Sequence, residues 1–128
     1  MAQSRQVKIH NLSQPFPEPL QARYCDTFMC RLRGLTFRKN LPSNEGLLLV
    51  QARENRTETA IHMFFVCIDL AIIWVNTENK VVDTQLARQW HPLYVPQKPA
   101  RYILEAAASR LSNFQIGDQL DFEETSVD

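Results

Sequence analysis

The sequence predicts one mainly β domain, a β-sandwich or jelly-roll-like barrel carrying one or two short helices. Two observations lead there. The chain has 128 residues, fewer than the roughly 150 of an average domain, and its 45% hydrophobic content supplies one core. Short runs rich in β-branched and aromatic residues also recur between frequent turn signals.

The elements follow in order. Val7, Ile9 and Leu12 are spaced as a strand of an opening arm, residues 1–22. Pro15, Pro17 and Pro19 form a stiff turn, since each fixes φ and removes a donor. Leu20, Ala22 and Tyr24 alternate as a returning strand. Asp26-Thr27 is suited to cap a short helix near 27–34, with Phe28, Leu32 and Leu35 on one face and Gly34 at its stop. Leu47–Val50 reads as a strand, Arg53–Thr59 as a polar loop, and Ala60–Phe65 and Leu70–Val75 as two strands. Asn76–Asn79 turns into Lys80–Thr84, a hairpin. The three prolines in Arg88–Pro99 indicate a loop or a broken edge. Arg101–Glu105 is a further strand, with Tyr102 and Leu104 on one face. Ala106-Ala107-Ala108 begins a second helix near 106–112 on propensity. Leu120–Phe122 closes the domain, 23–123, before an acidic tail, 124–128.

Fourteen basic and fourteen acidic residues cancel. That balance removes the simple electrostatic case for a nucleic-acid partner. The distribution is uneven, however, because residues 1–40 carry seven bases and two acids. Arg31, Arg33, Arg38 and Lys39 concentrate the excess, and the opposite excess lies at the C-terminus. Either the two ends meet or are both simply solvated, or the arginines form an anion site.

Cys25, Cys30 and Cys67 are odd in number and lack metal-site spacing. They are expected as small apolar residues in a reducing cytoplasm, with no metal site and no cofactor. MAQSRQVKIH has no apolar run behind its charges, so no secretory signal is read there. The apolar stretches Met63–Ile68 and Leu70–Val75 are too short for a membrane span. No G-x-S-x-G, P-loop, G-x-G-x-x-G or H-E-x-x-H motif occurs.

Five segments, in this order, resemble the prokaryotic family called domain of unknown function 192. Arg33-Gly34-Leu35-Thr36-Phe37-Arg38 and Glu45–Val50 resemble its "RGLM-x-R … EGMLF" opening. Ala60–Asn76 is similar to its central strand pair, and Lys80–Asp83 to its "GRVV" strand. Ala100–Glu105 resembles "ARYVLEL", and Ile116-Gly117-Asp118 the closing "xxGD" turn. The resemblance implies a compact, mostly β fold and no established activity. The central motif, roughly "FWMKNT-x-IPLDI", is altered here. Met63 matches, but His62 replaces the tryptophan, Phe64 and Phe65 replace lysine and asparagine, Asp69 stands where proline is usual, and Ala71 takes the aspartate position.

The candidate ligand-binding residues are Arg33, Arg38, His62, Met63 and Trp90. A histidine in an apolar strand needs a polar partner or a role. Guanidinium forks suit carboxylate or phosphate, or pair internally with Glu45, Glu105 or the acidic tail. Trp90-His91-Pro92 with Tyr94 offers aromatic faces, or plugs one end of the fold. The leading expectation is a small-ligand-binding module with a pocket near the arginine helix and the central strand. The alternatives are an enzyme using His62 as acid or base, and a protein-interaction or homodimer-forming domain using a strand edge.

Overall fold

The computed structural model describes residues 5–36, 38–63, 65–91 and 93–125. Seven strands form one sheet: β1 (Gln6–Asn11), β2 (Leu20–Cys25), β3 (Glu45–Asn55), β4 (Leu70–Val75), β5 (Val81–Ala87), β6 (Ala100–Ala107) and β7 (Leu120–Thr125). Their order is β5-β4-β6-β3-β2-β1-β7. Only β2 and β3 run parallel. The two end strands meet where Lys80 pairs with Gln119. Val81 N–H donates to the Asp118 carbonyl at 2.9 Å, and Leu120 N–H to that of Asn79 at 2.8 Å. The sheet therefore curls into a barrel closed at one end, which shortens its exposed edges.

Period-two alternation assigns each strand two faces. Val7, Ile9, Leu20, Ala22, Leu48, Ile73, Leu104 and Leu120 fill the barrel. The outer faces of β3, β4 and β6 carry a second core of Leu47, Leu49, Ile72, Trp74 and Ile103. All six residues of β4 are buried, so β4 is apolar on both faces. A short helix, α1 (Phe28–Arg33), and the segment 56–69 cover the second core.

The Thr27 side chain caps α1 by accepting from Cys30 N–H, as its type predicts. Gly34 ends it at φ 48°, a left-handed backbone that favours glycine. Leu35 is buried as expected, while the side chains of Phe28 and Leu32 lie outside the described residues.

Three expected elements differ. Residues 60–65 are not a regular strand. Ile61 makes one bridge to Tyr94, and the segment folds over the outer face instead of joining the sheet. The polar stretch after Arg53 continues β3 as far as Asn55. The expected helix at 106–112 begins later, as a 3-10 turn at Ala108–Asn113. Ala106 pairs with Gly46 and Ala71, so ladder bonds on two sides override alanine's helix propensity.

The two ends of the chain do meet. β7 pairs with β1, Arg5 Nε donates to Glu124 at 2.8 Å, and His10 lies 2.8 Å from Glu123. Glu124 and Thr125, placed in the tail by sequence, belong to β7.

Cys25 and Cys30 are joined in a disulfide, with Cα atoms 5.6 Å apart. This corrects the expectation of three thiols. The helix start at Thr27 turns the chain back, bringing Cys30 beside the end of β2. Cys67 is free and half-buried rather than inert core. Closing a loop of about six residues is worth about 2 kcal/mol on the chain-entropy account. Reduction is expected to lower the urea midpoint accordingly. An unchanged midpoint would show that the bond does not constrain the fold.

Candidate functional site

A cavity of about 120 Å³ lies between the outer face of the sheet and its cover. Glu105 stands on its floor. On β6 it shares a face with Ile103, and its direct neighbours across the sheet are Leu47 and Ile72. Alternation thus puts a carboxyl where an apolar side chain would otherwise pack. Gly46 lets β3 approach β6 closely here, since a Cβ would lie 2.9 Å from the Glu105 carbonyl oxygen.

Glu105 is only 5% exposed. Among the described residues it has no hydrogen-bond or ion-pair partner. Burial pushes its carboxyl up to about 7, because desolvation disfavours the charged form.

The walls come from the cover. Leu35, Ile61, Met63 and Val66 are apolar, and Arg31, Arg33, Glu58 and His62 are the charged or titratable groups lining the cavity. Arg31 is fixed by backbone carbonyls, donating through Nη1 to Asp26 at 2.6 Å and Val50 at 3.1 Å. The Trp74 indole N–H reaches the Thr59 carbonyl at 2.7 Å and pins the covering segment from below. Met63 N–H donates to the His91 carbonyl, and Trp90 N–H to that of Met63. A wider groove of about 740 Å³ adjoins the cavity, sharing Arg31, Gln51 and Glu58 with it and adding Tyr24 and Arg101.

Three of the five candidate residues, Arg33, His62 and Met63, therefore line one cavity. Arg38 is absent from its described lining and lines two other grooves. Trp90 is also absent from its lining; it is 50% exposed and packs edge-on against Phe65 at 5.2 Å. It does not plug the fold. Phe65 and Trp90 both hold left-handed backbone (each φ 64°). Phe64 and Pro92 lie outside the described residues.

His62 is exposed at the rim rather than embedded in a strand, because residues 60–65 do not join the sheet. Among the described residues neither Arg33 nor Arg38 pairs with a carboxylate, so no pairing with Glu45, Glu105 or the described part of the tail is found, while residues 126–128 lie outside the described residues. Asp69, at the usual proline position, accepts from Gln89 N–H at 2.9 Å and ties the covering segment to the next loop.

Sequence reasoning missed Glu105 as a site residue. Its signal was present: Glu105 is the one charged residue in the stretch 103–107, where it shares a face with Ile103.

The profile of DUF192, an uncharacterised family, matches residues 9–122. The chain belongs to this family. A UPF0127 protein of Thermococcus kodakarensis is 36% identical over 107 residues, covering 82% of this chain and 66% of that protein. One from Thermococcus gammatolerans is 36% identical over 102 residues, covering 78% and 65%. The chain thus spans slightly under two thirds of the length of these two relatives. A UPF0127 protein of Pyrococcus furiosus is 30% identical, covering 80% of this chain and 87% of the relative.

Two solved structures share the fold. One, from Sinorhizobium meliloti 1021, is described as a candidate transcription regulator. It superimposes with a TM-score of 0.79 at 15% identity, covering 94% of each chain. The other is a protein of unknown function from Novosphingobium aromaticivorans, with a TM-score of 0.77 at 21% identity, covering 91% of this chain and 83% of that one. At such identity they support the fold of this chain and nothing beyond it. Among the described residues no helix is long and apolar enough to cross a membrane.

Proposed function

We propose that this DUF192 chain is a small-ligand-binding module whose pocket is the cavity over Glu105. The observation that carries this reading is the Glu105 carboxyl, which borders the cavity without a partner among the described residues and is desolvated enough to be pushed up to about 7. A desolvated carboxyl is costly to charge, and a ligand that supplies a donor relieves that cost. The volume limits the inserted part to about six heavy atoms, since an engineered cavity of about 150 Å³ admits benzene. The inserted group carries an N–H or O–H for Glu105 and apolar atoms for Met63 and Ile61. Arg33 and His62 stand at the rim for whatever remains outside.

A carboxyl near neutrality is also suited to proton transfer. The enzymatic alternative therefore shifts from His62 to Glu105. For the compartment, the cytoplasm expected from the cysteine count stands against the Cys25–Cys30 bond, which favours an oxidising space. Trapping thiols before lysis separates the two.

The test is a thermal-shift screen with small amines, amides and alcohols. A ligand at a hundred times its Kd stabilises by about 2.7 kcal/mol. A genuine occupant raises the midpoint of the wild-type chain and loses that effect in Glu105→Gln. A blank screen, or equal shifts in both proteins, overturns the reading.

A further inference from the structure

A second groove, of about 550 Å³, is lined by β2, α1 and the turn after it, and shares Arg33, Gly34, Leu35 and Thr36 with the Glu105 cavity. Arg5, Arg23, Arg33 and Arg38 line it, and Asp26 is the one acid in its described lining. We propose that this groove binds the phosphate group of a small, soluble phosphorylated molecule.

The charge arrangement carries the argument. Arg5 is held by Glu124 at 2.8 Å, lies 3.9 Å from Asp26, and stacks on the Tyr24 ring at 3.9 Å. Arg23, Arg33 and Arg38 have no carboxylate partner among the described residues. In a chain with equal numbers of acids and bases, three guanidinium groups without ion-pair partners lining one groove concentrate positive charge there, although Glu45 lines a neighbouring groove with Arg23 and Arg38, and an oxyanion complements that charge. Planar forks suit phosphate oxygens through paired N–H donors.

The three residues come from separate parts of the fold. Arg23 stands on β2, Arg33 ends α1, and Arg38 follows the left-handed turn at Gly34. The groove's volume is that of a small-molecule site. Thr27 and Thr36 add hydroxyl groups to its lining. The inference does not depend on the Glu105 cavity, although Arg33 borders both.

The probe is inorganic pyrophosphate, titrated calorimetrically into the full chain at low salt. Binding is expected in the wild type and in Glu105→Gln alike. It should fall about tenfold or more in the Arg23→Ala/Arg38→Ala double variant and weaken steadily with added sodium chloride. Both substituted arginines are exposed, so a far-UV spectrum and melting point matching the wild type are expected as controls. Absence of binding heat, or unchanged affinity in the double variant, overturns the proposal. Co-sedimentation with phosphatidic-acid vesicles without pyrophosphate binding overturns it too, in favour of a lipid surface.

Discussion

Glu105→Gln is expected to stabilise the protein at about pH 8 by about 3 kcal/mol and to change little near pH 4. The sign follows from where the proton is held. The carboxyl rises from 4.5 to about 7 on folding, so the folded chain binds this proton more tightly than the unfolded one. Stability from this group is full below about pH 4.5, is lost as the pH climbs toward 7, and is constant above that. The neutral amide removes the loss. The groups lining the same cavity are Arg31 and Arg33 from α1, and Glu58 and His62 from the covering segment. All four remain in the variant, so a difference in pH profile between the two proteins isolates Glu105. In thermal melts the gain at alkaline pH is on the order of 10 °C. Parallel pH profiles for wild type and variant would show that the carboxyl is solvated, and would remove the basis of the pocket. A carboxyl that lowers stability at neutral pH is the trade-off expected where a site is kept ready for a ligand.

The same residue shows what was legible in the sequence. Strands with clean alternation, such as Val7 and Ile9 or Leu20, Ala22 and Tyr24, could be read directly, because burying one face imposes period two. The cap at Thr27 and the stop at Gly34 were legible because each depends on local chemistry. Residues 60–65 were misread for a physical reason: a short apolar run packed on the outside of a sheet looks like a strand within it. The Trp74–Thr59 bond, the Ile61–Tyr94 bridge and the Met63–His91 and Trp90–Met63 bonds distinguish the two, and all are long-range. The cavity was half legible. Arg33, His62 and Met63 could be singled out by type, but their meeting over Glu105 depends on α1 and the 56–69 segment covering the same face.

Arg110 is the second residue whose role is non-local, and its loss is expected to cost roughly 3–5 kcal/mol. By sequence it belongs to an alanine-rich helix. In the fold it is 3% exposed and acts as a clasp. Nη1 donates to the Ser43 carbonyl at 2.6 Å and that of Pro19 at 3.3 Å, Nη2 to that of Glu18 at 2.8 Å, and Nε to Asn113 Oδ1 at 2.7 Å. Its guanidinium carbon lies 5.0 Å from the Phe16 ring centroid. One planar group thus joins the proline arm before β2 to the turn before β3, the pair of strands that run parallel and share no short hairpin. Arg110→Met keeps the length and leaves three carbonyls without that donor. Arg110→Lys keeps the charge but not the fork, so it should recover little. Denaturant unfolding at neutral pH measures both, and a cost below about 1 kcal/mol for the methionine variant would show that water replaces the clasp. Because β3 carries Gly46 past Glu105, loosening this joint should also weaken any ligand of the cavity. Arg110 lies outside both grooves and the cavity, so such a loss would trace to the register of β3 and not to contact.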